Sequence, residues 1–397
     1  MSKRIPFRFS LIPRAKVNYS FNILFRSLFV RENKNRYSKE LKALLCAYFH
    51  VSDLLLTSSG RNSLYLLLNY LPQPKVVIPS YTCKVVSEAA ALAGKQIIYV
   101  DVAREDCNMT SESLGKILDS ETIVIATHQY GNPCAIKEIQ SLCASVGAVL
   151  IEDCAGSLGT TVDGILTGLY GDYAFFSFDS TKLLTIPSKG GCILAKNPDT
   201  LGEIEKCQSC IAPPFSHKVK HWSRGLIYLI LENKYLYRCF HYVMLWRRGR
   251  YQLDDNHSIN LKLDDFYKYK LAEWQAYIAI PQVKDISRII ARRQMLYQRY
   301  DEGLKKTMQL RKPIYKETNC NIKYAIQVEA KKTVYEMCIR SGVDLAFSFS
   351  YVVCPESFIH AQEIANSVLN LPLYYKLEEA EVDYVIETLN RICREQS

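Results

Sequence analysis

An α/β fold, with a mostly parallel central sheet between helices and a smaller C-terminal α+β domain, is what this sequence of 397 residues predicts. Three observations point to it. Between residues 75 and 196, short runs rich in Val, Ile and aromatics alternate with longer amphipathic ones. The short runs are apolar on both faces, as strands covered from two sides must be. After about residue 200 the alternation stops, and the chain closes on the helical pattern "EEAEVDYVIETLNRIC".

Taken in order, strands are expected at "KVVIPS", "QIIYVDV", "TIVIATHQYG", "AVLIEDCA", "DYAFFSF" and "GGCILAK". Helices are expected between them at "KVVSEAAALAG", "SESLGKILD" and "AIKEIQSLCASVG", the first and last stopped by glycine. Such alternation builds parallel strands joined by crossover helices. Residues 211–262 read as an insertion, irregular and then aromatic and basic. The helical stretch beginning "KLAEWQAYIAIPQVKDISRII" should kink or restart at Pro281. The expected division is an N-terminal segment 1–39, a large domain 40–265 carrying the insertion 211–262, and a linking helix with small domain over 266–397.

Composition narrows the function. With 48% hydrophobic and 23% charged residues the chain can bury a sizeable core, and its net charge of +10 favours anionic partners. No basic tail or paired Cys/His finger suggests nucleic acid. The 14 cysteines are scattered, and "MSKRIPFRFSLIPRAK" lacks a continuous apolar core for a signal peptide, so a reduced, cytoplasmic setting is expected. "CQSC" at Cys207–Cys210 could be half of a zinc site, but no second pair follows at suitable spacing and no metal is expected.

Four pieces carry chemistry. "TSSGRNSLYLLL" opens a helix with Ser58, Ser59 and Gly60, where free amides and the helix dipole can receive a phosphate, and Arg61 adds a positive charge. Serine there can also be a simple cap. "LIEDCAG" ends a buried strand with Glu152 and Asp153, which alternation sends to opposite faces. "FFSFDSTK" delivers Ser177 and Lys182 at another strand end, and a suitably placed lysine amine forms Schiff bases. Gly190 and Gly191 then start the next strand, as though its backbone must pass close to something.

In order and spacing, "TSSG", "IPSYTC", "IYVDV", "HQYG", "IEDCA", "GDYAFFSFDSTK" and "KGG" resemble the DegT-type sugar aminotransferases, pyridoxal phosphate (PLP) enzymes of fold type I. Downstream, "YKYKLAEWQAYIAIPQV" and "VLNLPLYYKLEEAEVDYVI" resemble the family's helix after its YNYR motif and its closing segment. The resemblance runs from about residue 40 to 397, apart from the insertion. It implies that Lys182 carries PLP covalently, that Asp153 faces the pyridine nitrogen, and that Ser59, Gly60, Arg61 and Ser177 hold the phosphate. His128 would line the pocket below the ring, or be a core histidine. Four positions depart from the family pattern. Arg61 replaces a threonine. Cys83 stands where an aromatic stacks on the ring, which leaves Tyr81 as the candidate. Gly156 stands where Gln or His meets the ring hydroxyl. Lys268 replaces the asparagine that reaches a neighbouring subunit's phosphate.

The implied activity is amino transfer to a keto sugar, nucleotide-linked, for polysaccharide or glycoconjugate synthesis. An amino donor, glutamate by resemblance, and a homodimer go with it. A PLP enzyme of another reaction type, or a non-catalytic scaffold, remains the alternative at this point. "GLIYLILENKYLYRCFHYVMLWRRGR" (225–250) is too interrupted by charge to span a bilayer. Its aromatic and basic make-up suits either a membrane interface, placing the protein at the inner face of the membrane, or packing on its own or a partner subunit.

Overall fold

The structure is a computed structural model that describes residues 8–115, 117–207, 210–248, 259–305, 310–314, 318–320 and 322–395. The apolar runs form strands because both faces are covered, and every residue of the strand Thr122–Thr127 is buried. The strands are β1 (Leu55–Thr57), β2 (Lys75–Pro79), β3 (Gln96–Val100), β4 (Thr122–Thr127), β5 (Val149–Asp153), a short hairpin β6 (Thr161–Val162) and β7 (Ile165–Leu166), β8 (Tyr173–Asp179) and β9 (Lys189–Ala195). One seven-stranded sheet has the order β1-β9-β8-β5-β4-β2-β3. Pairs from β3 through β8 are parallel, while β9 runs antiparallel to both β8 and β1.

Helices Lys84–Leu92 and Ile136–Val146 form as expected, with Gly94 and Gly147 in the left-handed conformation just beyond them. "SESLGKILD" does not form a helix. Its described residues make single turns, Leu114 N–H to Ser111 O (3.1 Å) and Ile117 N–H to Leu114 O (3.0 Å). Nine residues with Gly115 at the centre are too few to offset helix nucleation.

The smaller domain holds an antiparallel sheet of β10 (Leu310–Arg311), β11 (Tyr324–Val328), β12 (Ala346–Phe347) and β13 (Val368–Leu371), in the order β10-β11-β13-β12. Helices Lys331–Arg340 and Glu379–Glu395 close its core. The N-terminal segment is shared between the two domains. Leu11 and Ile12 lie in the small-domain core and Ile12 pairs with Val343, while Tyr19 and Leu24 lie in the large-domain core.

The linking helix runs through Pro281 and breaks at Asp285, giving Glu273–Lys284 and Ile286–Gly303. Pro281 is exposed, so the carbonyl whose partner it removes faces the solvent side. The first of these helices clamps the chain beyond Lys182. Gln282 accepts from the Thr185 amide (2.8 Å) and donates to its carbonyl (2.7 Å), and Gln275 donates to the Lys189 carbonyl (2.9 Å). Asn18 adds a bond to the Leu183 carbonyl (2.8 Å).

The glycine pair has a steric cause. A Cβ on Gly191 would meet the Phe176 carbonyl at 2.5 Å and the Gly60 nitrogen at 2.9 Å. The helix Gly60–Tyr70 therefore starts directly against β9, closer than any side chain allows. Gly191→Ala should lower the unfolding free energy by roughly 1–3 kcal/mol, the cost of overpacking a rigid contact. Urea denaturation checks this, and unchanged stability would mean that the turn yields freely.

Candidate active site

The C-terminal ends of β5 and β8 meet the start of helix Gly60–Tyr70 at a cavity of about 240 Å³. Open α/β sheets bind ligands at this edge. Ser59 caps the helix, its hydroxyl accepting from the Asn62 amide (3.1 Å), and the Ser63 amide goes to the Ser59 carbonyl (3.0 Å). That leaves the first-turn amides of Gly60 and Arg61 for an anion. A Cβ on Gly60 would lie 2.7 Å from the Ser177 Cβ, so the Ser177 hydroxyl stands beside the same turn. Among predicted site residues the cavity is lined by Ser59, Gly60, Arg61, Asp153, Ser177 and Lys182.

Alternation at the end of β5 separates the two carboxylates. Glu152 is turned to the interior side and accepts from the amides of Gly168 (2.9 Å), Tyr170 (2.7 Å) and Gly171 (2.7 Å). Asp153 lies on the cavity wall, 5% exposed, accepting from the Ala155 amide (3.0 Å). Among the described residues no cation lies within ion-pair distance of it. Burial pushes its carboxyl above the ordinary range, while the Ala155 amide and the charge of Lys182 pull it back. Lys182 follows the tight turn Asp179–Thr181, in which the Asp179 carboxylate accepts both the amide and the hydroxyl of Thr181 (2.7 Å each). Its amine meets no carboxylate at ion-pair distance among the described residues.

Other expected residues are placed differently. Arg61 does reach the cavity, but its guanidinium pairs with Asp264 (2.9 Å) and is not a free charge. Tyr81 does not line the cavity. Its ring is buried, held by its hydroxyl to the Tyr130 hydroxyl (2.7 Å) and the Ser348 carbonyl (3.1 Å). His128 is the core histidine, with Nε2 3.0 Å from Glu152 and Nδ1 accepting from the Cys134 amide (3.3 Å). With Cys154 these form the one group of three potential metal ligands among the described residues, already joined by hydrogen bonds. Lys268 is exposed and not on its own subunit's cavity wall. Cys207 is exposed, and Cys210 lies near the Asn62 amide (3.8 Å).

Among the lining residues that sequence reasoning missed, Lys189, Lys323 and Phe349 bear most on the chemistry. Lys189 at the start of β9 lies 4.6 Å from the Phe266 ring centre, its pKa lowered by burial and by Arg61. Lys323 and Phe349 come from the small domain, far along the chain, where no motif signals a site. Phe349 has φ of +41°, a left-handed backbone that costs a bulky residue about 1–3 kcal/mol and is concentrated at functional sites. Its ring stands between the cavity and Tyr81, 5.9 Å from the latter.

Comparisons with known proteins address the fold and the family. The dTDP-3-amino-3,4,6-trideoxy-alpha-D-glucose transaminase of Micromonospora megalomicea is 24% identical over 87% of this chain and 86% of its own length. The GDP-perosamine synthase of Vibrio cholerae is 28% identical over 44% of this chain and 48% of its own, so the chain spans about half the length of the first curated relatives it matches. A Streptococcus pneumoniae protein described as a sugar aminotransferase, solved in its PLP-form, superposes with a TM-score of 0.72 over 97% of this chain and 99% of its own, at 17% identity, and shows the same fold. The model of the DegT/DnrJ/EryC1/StrS aminotransferase family matches residues 31–390, and the chain belongs to that family.

Proposed function

We propose that this chain is a PLP-dependent aminotransferase that moves an amino group onto a nucleotide-linked keto sugar, with glutamate as donor. The observation that carries the reading is the buried carboxylate of Asp153, without a cation in contact, sharing one cavity with the amine of Lys182 and the amides of Gly60 and Arg61. The residues fit the cofactor. The Ser59–Gly60 turn and the Ser177 hydroxyl would take its phosphate, Asp153 its protonated pyridine nitrogen and Lys182 its aldehyde carbon. When bound, PLP supplies a ring that accepts the electrons left when the donor's α-proton departs.

The chain's own residues do the rest. Asp153, kept in place by the Ala155 amide, holds the proton on the ring nitrogen. With PLP bound, the Lys182 amine would be the base that takes the proton from the donor's α-carbon and delivers it to the cofactor's C4′ carbon. A keto acceptor runs the same steps in reverse. The names of relatives, which act on GDP-, dTDP- and UDP-linked sugars, support a nucleotide-linked acceptor. A homodimer and a cytoplasmic setting belong to the same reading. Lys268, exposed just after the Asp264–Phe266 segment that pairs with Arg61 and Ser58, suits a residue that reaches a partner's phosphate.

Lys182→Ala should abolish turnover, leave the fold intact and remove the absorbance band of covalently held cofactor. Retained transaminase activity beyond a trace would overturn the assignment. Asp153→Asn should weaken cofactor affinity and slow proton transfer, read by equilibrium dialysis and by single-turnover absorbance. Unchanged values would reduce Asp153 to a strand-end carboxylate.

The insertion supports a second element of this reading, peripheral contact with an acidic membrane. It forms helices Phe215–Ile230 and Lys234–Arg248, and no described helix is long and apolar enough to cross a membrane. Trp222, Leu226 and Leu229 pack inward on the large-domain core, whereas Ile227, Ile230, Val243 and Trp246 are exposed, Trp246 to 84%. Exposed apolar and tryptophan side chains, with Lys220, Arg224 and Lys234 on the same two helices, suit anionic headgroups. Wild type should float with acidic liposomes at low salt, and a variant with Ile227, Ile230, Val243 and Trp246 changed to serine should not. Equal behaviour of the two would remove the membrane from the reading.

A further inference from the structure

The small domain places one cation on the cavity wall that none of the steps above employs. Lys323, the residue before β11, donates to the Ser348 hydroxyl oxygen (2.9 Å) and lies 6.0 Å from the Tyr130 ring centre. Among the described residues no carboxylate is within ion-pair distance of it. Its support is fixed from several sides. Ser348 is buried, its hydroxyl oxygen also accepts from the Asn370 amide group, and its carbonyl accepts from Tyr81. An ammonium has three donors, so two remain for a ligand.

The placement is costly without an anion. Burial, together with the charge of Lys182, pushes the Lys323 amine down to about 8, and Lys182 is its leading charged neighbour. An ammonium partly desolvated beside another is destabilising unless something negative meets it. Ser59, Gly60 and Ser177, which would take the phosphate, belong to the large domain's wall, whereas Lys323 enters from the small domain. The remaining cations of the cavity are engaged elsewhere, Arg61 with Asp264 and Lys189 against Phe266.

We propose that Lys323 anchors the α-carboxylate of the amino donor. This rests on the aminotransferase reading. In an α-amino acid the carboxyl carbon lies only about 2.5 Å from the amine nitrogen, by ordinary bond lengths and angles. A donor whose amine comes to the reacting carbon beside Lys182 therefore brings its carboxylate into that lysine's immediate surroundings, where Lys323 stands. The phosphates of a nucleotide sugar are separated from a reacting ring carbon by the sugar itself. Lys323 is thus a positioning residue for the donor half of the reaction, and Ser348 holds it in place.

The test uses the holoenzyme as wild type, Lys323→Met and Lys323→Arg, with Lys323→Gln in reserve should methionine fail to fold. Melting temperature and cofactor content are matched first. Glutarate, which has the carboxylates of glutamate but no amine, is titrated calorimetrically. The two half-reactions are then followed separately by cofactor absorbance, one with glutamate and one with the aminated enzyme and a nucleotide-linked keto sugar. Lys323→Met should raise the glutarate Kd and the glutamate half-saturation about tenfold or more, the size of a lost charge-assisted hydrogen bond, and leave the sugar half-saturation within about twofold. Lys323→Arg should recover most of the loss. Unchanged glutarate and glutamate binding, or a loss confined to the sugar, overturns the proposal, the latter by assigning the cation to the nucleotide's phosphates. Should wild type hold cofactor yet respond spectrally to no amino acid, the aminotransferase reading fails, while the glutarate titration still scores Lys323.

Discussion

Two neighbouring carboxylates, Glu152 and Asp153, are buried at the end of one strand, and the site depends on how that is made tolerable. Side by side on one face they would repel in a low-dielectric interior. The two-residue period of β5 sends them apart, and each meets a different kind of compensation. Glu152 is satisfied completely by three backbone amides and His128, and so fixes the loop from Gly168 to Gly171 that leads into β8. Asp153 is left one strong partner short, at the edge where ligands bind. A structural carboxylate and a chemical one arise from adjacent letters of the sequence, and the first positions the strand that carries Ser177 and Lys182.

The second constraint is backbone proximity. The turn Ser59–Gly60 sits against β8 and β9 so closely that Gly60 and Gly191 have no room for a Cβ. The amides of the helix start are thereby held beside the Ser177 hydroxyl. On the far side of Lys182, Gln282 and Asn18 fix the chain at Thr185 and Leu183. The lysine is mobile only in its own side chain. A reacting amine needs this combination, a rigid base and a flexible tip, to alternate between holding a carbon and moving a proton.

The sheet and the large-domain half of the site were legible in the sequence because both are local. Period, strand composition and the short-range turns around Gly60, Asp153 and Lys182 lie within single elements, and six expected strands form in place. Turns at residues 111–115 and 117 stand where a helix was expected, because Gly115 and shortness outweighed amphipathic spacing. Pro281 failed to break its helix because solvent exposure makes its missing bond cheap. Tyr81 and His128 could not be assigned from sequence, since both are settled by distant partners, Ser348 and Glu152 respectively. Lys323 and Phe349 were invisible for the same reason: only tertiary structure brings the small domain to the cavity.

That contribution also accounts for the departures at Cys83 and Gly156. At Cys83 the cavity wall lacks a ring, and Phe349 enters it from the small domain, held in a left-handed backbone and stacked on Tyr130 (6.3 Å, 10° between planes). At Gly156 a Cβ would already stand 3.4 Å from the Ile322 side chain and from the Gly131 nitrogen. A glutamine or histidine there would need the small-domain segment at Ile322 to withdraw, and with it the adjacent Lys323. The small side chains at 83 and 156 and the larger ones at 322, 323 and 349 therefore meet along one boundary between the two domains. The large domain offers small side chains at this boundary, and the small domain brings a phenyl group and a positive charge to the same cavity.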